Sequence, residues 1–352
     1  MEPSADVVIL TALPVELQAV LLLLLDQSTL VHPEGTRFVK GTLPGVAGTV
    51  AVARIGAGNL SAAVITERAR QWLRPQALLF VGVAGGLKPE AQLGDVVVST
   101  KVHYLHPGKE TRDGFNARPV PGAVSHRLEQ AAGIALSTGT WRKWVPDEVQ
   151  ATWHGTGPRV HFEPIVAGEV VLNSPVTPLR DQIAFHYGDA LAIEMESAGV
   201  ARAAALSEDL RILTLRGISD RADSGKDEAD SSGSQHRASA HAAAAAAALV
   251  CELLLETAGP GGQSRVGRPA GAMDKASVPD AEWVKALMAF DDMARGDFRH
   301  GLLSDMGRVL GLPHAFIAAE SAVARDHVRE IVRRMNAYRD PPRRARGSVC
   351  LS

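Results

Sequence analysis

Apolar residues in this chain come in short unbroken runs, separated by turn-forming segments and by stretches with helical spacing. Val7-Val8-Ile9-Leu10-Thr11, Asp95-Val96-Val97-Val98-Ser99 and residues 160–166 read as strands, and Ala77-Leu78-Leu79-Phe80-Val81 and Ile212-Leu213-Leu215 around Thr214 as buried strands. Residues 37–40 and 49–54 read as a strand pair around a turn at Gly45, and Ala192-Ile193-Glu194 as a further strand. Helices are expected from Pro14 through residues 16–25, from Ser61 to about Trp72, near residues 126–136, over residues 198–206, and through the alanine tract 242–248 to about Thr257. Residues 108–158 carry little pattern beyond the helix near 126–136. Strands alternating with helices place the chain in the α/β class.

The pattern breaks after residue 257. Residues 258–272 hold five glycines and two prolines with almost no large apolar side chain, a linker composition. Beyond it, Trp283, Leu287, Phe290 and Met293 recur at helical spacing, as do Phe298, Leu302, Met306 and Val309, and Val328, Ile331, Val332 and Met335. The organisation expected is an α/β domain over residues 5–257, a Gly/Pro-rich linker over 258–275, a small all-α module over 276–340 and a basic, disordered tail over 341–352.

Composition narrows the class of function. Among 352 residues the formal net charge is −2, so no nucleic-acid surface is implied by the total. Cys251 and Cys350 are the two cysteines, far apart in sequence, which argues against a disulfide framework or a zinc site and fits a reducing cytoplasm. The start, Met1-Glu2-Pro3-Ser4-Ala5-Asp6, lacks the basic region and apolar core of a signal peptide. The apolar runs 21–25 and 242–250 are well short of the ~20 residues that span a bilayer, so no membrane association is expected.

The candidate chemistry sits at strand ends, where ligands bind in α/β sheets. Glu194-Met195-Glu196 follows one strand, Ser219-Asp220 ends another, Glu16 comes after the first, and Gly82-Val83-Ala84-Gly85-Gly86 closes a central one. Alone, each has a structural reading. Glu196 and Glu16 suit the N-terminal turn of a helix, Asp220 suits a turn or cap, and Met195 suits plain core. The paired glycines either make a tight turn or let a ligand approach the backbone. Gly56-x-Gly58-x-x-Ser61 misses the dinucleotide fingerprint at its last position and reads instead as a strand-to-helix turn whose N–H groups face a ligand anion.

Taken together and in order, these pieces resemble the nucleoside phosphorylase superfamily, and most its hydrolytic branch, the methylthioadenosine/S-adenosylhomocysteine nucleosidases. The residues that carry the resemblance are Ile9-Leu10-Thr11-Ala12-x-x-x-Glu16, Gly82-x-Ala84-Gly85-Gly86-Leu87, Leu93-Gly94-Asp95-Val96-Val97-Val98, Ala192-Ile193-Glu194-Met195-Glu196-Ser197 and Arg216-Gly217-Ile218-Ser219-Asp220-x-Ala222-Asp223. The resemblance spans residues 5–257 and implies a three-layer α/β/α domain with a mixed sheet and no metal or cofactor. It implies hydrolysis of the N-glycosidic bond of a purine nucleoside or nucleotide, with adenine as the expected base. Asp220 would protonate the departing purine, Glu196 would hold the ribose hydroxyls and offset the ribose cation, and Glu16 would activate water. Met195, Ser219, Val171, Leu172, Gly85, Val83 and Arg216 are the implied substrate-binding residues. Two positions depart from the family: Val171 stands where an aromatic often stacks on the base, and Val83 where a hydroxyl is common. A carboxylate at position 16 opposes phosphate binding, so phosphorolysis is the alternative reaction. A sensor or scaffold that binds nucleotide without turnover is the alternative class.

Lys101, His103 and Lys109 form a basic segment after a strand end. It reads either as a solvated hairpin or as a grip on 5′ phosphates. The helical stretch 276–340 resembles an effector-associated adaptor domain, which implies a protein partner bearing a similar module in the setting of a bacterial effector. The superfamily resemblance also implies a homo-oligomer formed through the catalytic domain.

Overall fold

The computed structural model describes residues 3–258, apart from residues 113, 154, 208 and 224–232, together with residue 328. The chain divides into two compact units, Met1–Ser264 and Arg265–Ser352. The expected linker, helical module and basic tail lie outside the described residues, save for Val328.

The first unit is built on a ten-stranded mixed sheet. Its strands in chain order are β1 (Val7–Thr11), β2 (Leu25–Val31), β3 (Arg37–Thr42), β4 (Val50–Arg54), β5 (Ala77–Gly86), β6 (Val96–Tyr104), β9 (Pro121–Ala123), β10 (Val160–Ala167), β11 (Ala192–Glu194) and β12 (Ile212–Asp220), while β7 (Gly108–Thr111) and β8 (Gly114–Ala117) form a separate hairpin. The order across the sheet is β11-β10-β6-β12-β5-β1-β4-β3-β2, with β9 on β6. β11 also pairs antiparallel with β5, so β5, β11, β10, β6 and β12 close into a ring. The closure brings Ile193 and Asp220 to the two sides of one residue, Gly85. The strands carrying Glu196 and Asp220 are thus not direct neighbours; β5 joins them.

The helices are α1 (Pro14–Leu21), α2 (Asn59–Leu73), α3 (His126–Ser137), α4 (Asp147–Gln150), α5 (Pro178–His186), α6 (Ser197–Ala205) and α7 (Ser234–Ala258), with a 3₁₀ turn at Thr140–Trp144. Strand alternation sends Val7, Ile9, Leu79, Leu213 and Leu215 into a core shared with the alanine tract of α7, with Leu128 of α3 and with Val20 of α1. Val8, Leu10, Leu78, Phe80 and Ile212 point the other way, toward Ala62, Ala69 and Leu73 of α2 and Val200 and Ala201 of α6. The result is three layers, α/β/α. Every residue of β12 is buried, as expected of a strand covered on both faces.

Small residues set the layer spacing. A Cβ on Gly217 would collide with the carbonyl oxygen of Ala238, so β12 and α7 approach at backbone distance. By length and composition Ser234–Glu256 would be apolar enough to cross a membrane, yet 83% of its most apolar window is buried within the fold. The helix extends on both sides of the apolar run 242–250, and past its end Leu253 and Leu254 are buried in the core.

α2 and α6 touch in the same way, since a Cβ on Gly199 would collide with the carbonyl oxygen of Asn59. An alanine in a helix interior normally stabilises by about 1 kcal/mol relative to glycine. Here the sign is expected to reverse: Gly199→Ala should lower stability by about 1–3 kcal/mol as the two helices are pushed apart. Denaturant unfolding of the variant checks this, and a gain in stability would contradict the packing.

Several elements depart from the sequence reading, among them β7, β8, β9, α4 and the 3₁₀ turn in the stretch 108–158, where only α3 was expected. The first helix stops at Leu21, and residues 22–24 turn the chain into β2 through Asp26 at φ 52°. Residues 178–186, where no element was expected, form α5, started by Thr177, whose hydroxyl accepts a bond from the Arg180 N–H.

Candidate active site

A cavity of about 340 Å³ opens at the ends of β5, β11 and β12. Glu16, Glu194, Glu196 and Asp220 line it, together with Met195, Ser219, Val83, Gly85, Val171, Leu172 and Gln235. No lysine, arginine or histidine stands among its described lining residues. Its size lies in the range of small-molecule sites.

Glu16 is 2% exposed and held by three backbone donors. Its Oε2 accepts from the Ala12 and Leu13 N–H groups at 2.7 Å each, and Oε1 accepts from Val83 at 2.8 Å. The N–H groups come from the start of α1 and from β5, so the carboxylate bridges two elements. Burial raises its pKa, against the pull of the Arg216 charge and those three donors. Gly82 makes room: a Cβ there would collide with both Glu16 and Arg216.

Glu196 begins α6. Its Oε1 accepts from the Gly58 N–H at 3.1 Å, with Gly58 at φ 98°, a left-handed conformation that favours glycine. The glycine turn before α2 therefore offers its N–H to an anion, as its pattern suggests, but the anion is the protein's own carboxylate. Burial first, and then the neighbouring Glu194 charge, push the Glu196 pKa up to about 7, with Arg216 opposing.

Arg216 and Glu194 form the support beneath. Arg216 is fully buried and stacks on Phe80, its guanidinium carbon 4.1 Å from the ring centroid. Its Nη2 pairs closely with Glu194 and lies 3.5 Å from Glu196 Oε2. Nη1 lies 3.9 Å from Glu16 Oε1 and has no hydrogen-bond partner within the protein. Burial works to lower the Arg216 pKa, and the charges of Glu194, Glu16 and Glu196 more than reverse it. Glu194 in turn accepts from the Glu196 and Ser197 N–H groups at the start of α6 and from the Ser197 hydroxyl.

Asp220 ends β12. Its Oδ2 accepts from the Ser219 hydroxyl at 2.9 Å and its Oδ1 from the Ala222 N–H at 2.8 Å. Gly85 is needed beside it, because a Cβ there would stand 2.8 Å from Asp220 Oδ1.

The structure thus brings together Glu16, Val83, Gly85, Val171, Leu172, Met195, Glu196, Ser219 and Asp220. It does not bring Arg216 to the cavity surface. That side chain organises three carboxylates from below rather than lining the cavity, a correction to its expected place among the substrate contacts. Lys101, His103 and Lys109 do not line the cavity either. Asp189 holds both Lys101 Nζ, at 3.3 Å, and His103 Nε2, at 3.1 Å, while Lys109 is exposed on the β7–β8 hairpin. Sequence reading missed Asn59, whose Nδ2 donates to Gly168 O and Glu169 Oε1 and whose Oδ1 accepts from Gly199 N, tying α2 to the β10 loop and to α6. It also missed Gln235. Among the described residues no group of three or more His, Cys, Asp or Glu is arranged to hold a metal ion.

The sequence model of the phosphorylase superfamily matches residues 6–255. The chain belongs to that superfamily. This phosphorylase-superfamily chain is 31% identical over 255 residues to ATP nucleosidase Cap17 of Escherichia coli, a match covering 64% of this chain and 48% of that protein. It spans about half the length of that relative. It is 25% identical over 197 residues to the 5′-methylthioadenosine/S-adenosylhomocysteine nucleosidase of Desulfotalea psychrophila, covering 56% and 76% of the two chains. Among solved structures its fold is similar to that of the Neisseria meningitidis 5′-methylthioadenosine/S-adenosylhomocysteine nucleosidase in complex with methylthio-immucillin-A, with TM-score 0.55 and 22% identity over 69% of this chain and 97% of that one. It is also similar to the futalosine hydrolase of Helicobacter pylori, with TM-score 0.55 and 21% identity over 69% and 96%.

Proposed function

We propose that the chain is a nucleosidase that hydrolyses the N-glycosidic bond of a purine nucleoside or nucleotide and releases the base, adenine first among candidates. The observation that carries this reading is the separation of three carboxylates around one cavity, each in a different environment. Cleavage of the bond places positive charge on the ribose and negative charge on the departing base. Asp220, oriented by Ser219 and Ala222, is the acid that protonates the purine. Glu196 accepts the ribose hydroxyls and offsets the ribose cation. Glu16, whose burial favours proton uptake, takes the proton of the attacking water.

Water is favoured over phosphate as nucleophile by the lining itself, which holds four carboxylates and no cation among its described residues. The names of the relatives, an ATP nucleosidase and a methylthioadenosine/S-adenosylhomocysteine nucleosidase, support adenine release. They differ in what the ribose 5′ carbon carries. The test is release of adenine from methylthioadenosine, S-adenosylhomocysteine, adenosine and ATP, each with and without phosphate. Release that is independent of phosphate is expected, and release that requires it would move the chain to the phosphorylases.

The pH profile has a definite sign. Glu196 accepts ribose hydroxyls only as a carboxylate, so kcat/KM should rise with pH and level off above about 7. In the substrate complex hydroxyl donors stabilise the anion, so the corresponding limb of kcat should lie at lower pH. The stability effect runs the other way. The raised pKa means the folded state holds more protons than the unfolded one between about 4.5 and about 7, so stability falls as pH rises through that window. Glu196→Gln should remove the Glu196 share of the kcat/KM limb and of this slope, leaving the share of Glu16, whose pKa burial also raises; a slope unchanged in the variant would assign it to another group.

A further inference from the structure

A second cavity, of about 780 Å³, lies between the turn before β6, the loop before β10 and the first turns of α7. None of its lining residues is shared with the catalytic cavity. We infer that this cavity is a binding site for a phosphate-bearing small molecule, held between Arg159 and Arg237 over Trp153.

The walls are built rather than left over. Asp95, 3% exposed, forms the floor, and its carboxylate accepts from the Arg159 and Gln92 N–H groups, at 2.8 and 3.2 Å, and pairs with His161 Nε2 at 2.8 Å. The floor's negative charge is therefore engaged by donors of its own. His241 closes one side. The Gly94 carbonyl can only accept, so His241 Nδ1 donates to it, at 2.7 Å; the Trp153 indole can only donate, so His241 Nε2 accepts, at 3.0 Å. Both ring nitrogens are used in the neutral form, and this fixes Trp153. Gly157, at φ 74°, lets the backbone pass against the indole, where a Cβ would stand 2.8 Å from the ring. Arg142 Nη2 donates to Pro158 O and holds the loop from behind.

The cationic groups sit on two different walls. Arg159 is exposed at the start of β10, and Arg237 lies in the first turn of α7. Guanidinium groups match phosphate oxygens in a two-pronged geometry, and two of them on opposing elements fit a diphosphate better than a single carboxylate. Thr152, Thr156 and Gln92 line the same space, with the Thr152 hydroxyl donating to Val149 O and the Gln92 amide to Pro89 O. This inference stands apart from the catalytic reading, because neither arginine nor Trp153 touches the catalytic cavity. The site nevertheless adjoins the strand that carries Asp220: the Gly94 N–H donates to Ile218 O at 2.8 Å, and Arg221 Nη2 donates to Gln92 Oε1 at 3.2 Å.

The test is calorimetric titration of the full chain with pyrophosphate, run on the parent, on Asp220→Asn and on the double variant Arg159→Ala/Arg237→Ala. Saturable binding in the parent is expected, equal in Asp220→Asn and unaffected by saturating adenine. In the double variant it should weaken by roughly tenfold or more, since each lost bond is charge-assisted. Absence of saturable binding at millimolar pyrophosphate would overturn the inference. So would binding that survives loss of both arginines, or binding displaced by adenine, which would place the anion in the catalytic cavity. Circular dichroism of the double variant checks that the fold is retained, and Arg159→Lys should recover part of the lost affinity.

Discussion

Asp220→Asn should slow base release by roughly 10²–10⁴-fold, the range of a lost general acid, while leaving the fold intact. Asparagine is the same size. Its oxygen can still accept from the Ala222 N–H, and its amide can donate to the Ser219 hydroxyl that at present donates to Asp220. What it cannot do is deliver a proton to a departing purine. The variant should therefore unfold at the same denaturant concentration as the parent and bind adenine, yet turn over slowly. Base release at the parental rate would remove Asp220 from the chemistry and leave it as a strand-end cap.

The second large effect concerns stability. Replacing Arg216 with methionine keeps the packing on Phe80 but leaves Glu194, Glu16 and Glu196 buried around no cation. Breaking a buried ion pair by removing one partner costs about 3–5 kcal/mol, and here three carboxylates depend on one guanidinium. Two readouts should move together. Denaturant unfolding should show a loss of that size, and any remaining activity should have its kcat/KM limb displaced above pH 7, because the charge opposing the rise in the Glu196 pKa is gone. A loss below about 1 kcal/mol would mean that the cluster is already neutralised by protons rather than by Arg216.

The parts of this fold legible in the sequence are those whose physical cause is local. β1, β5 and β12 are buried on both faces, so they appear as largely apolar runs. The helix over residues 59–73 and the long alanine-rich α7 show their periods directly. The carboxylates of the site could be named because each lies at a strand end in a fixed order. What the sequence hid is what depends on distant partners. Arg216 looks like a ligand contact until Glu194, 22 residues earlier in sequence, is seen across from it. Lys101 and His103 look like a phosphate grip until Asp189, more than 80 residues away, is found between them. The glycine at position 58 was visible, but the identity of the anion it faces, 138 residues on, was not. The overlong first helix and the unexpected β2 have a different cause: the apolar run over residues 21–25 suits a helix as well as a strand, and only Asp26 with its positive φ marks the change of direction.

These cases share a pattern. Motif order was enough to collect Glu16, Glu196 and Asp220, but the reason each is suited to its task lies in burial and in neighbours. Glu16 is surrounded by backbone donors and Glu196 is crowded by another carboxylate. Asp220 is held by a hydroxyl and an amide.

The central claim is that water, activated at Glu16, attacks the ribose as the base leaves. It is tested most directly by running base release in ¹⁸O-labelled water with phosphate present and analysing the sugar product by mass spectrometry. One labelled oxygen on the anomeric carbon, with no sugar 1-phosphate formed and with the rate strongly reduced in Glu16→Gln, is the result expected. An unlabelled sugar 1-phosphate, or label incorporated at the parental rate in Glu16→Gln, would contradict it.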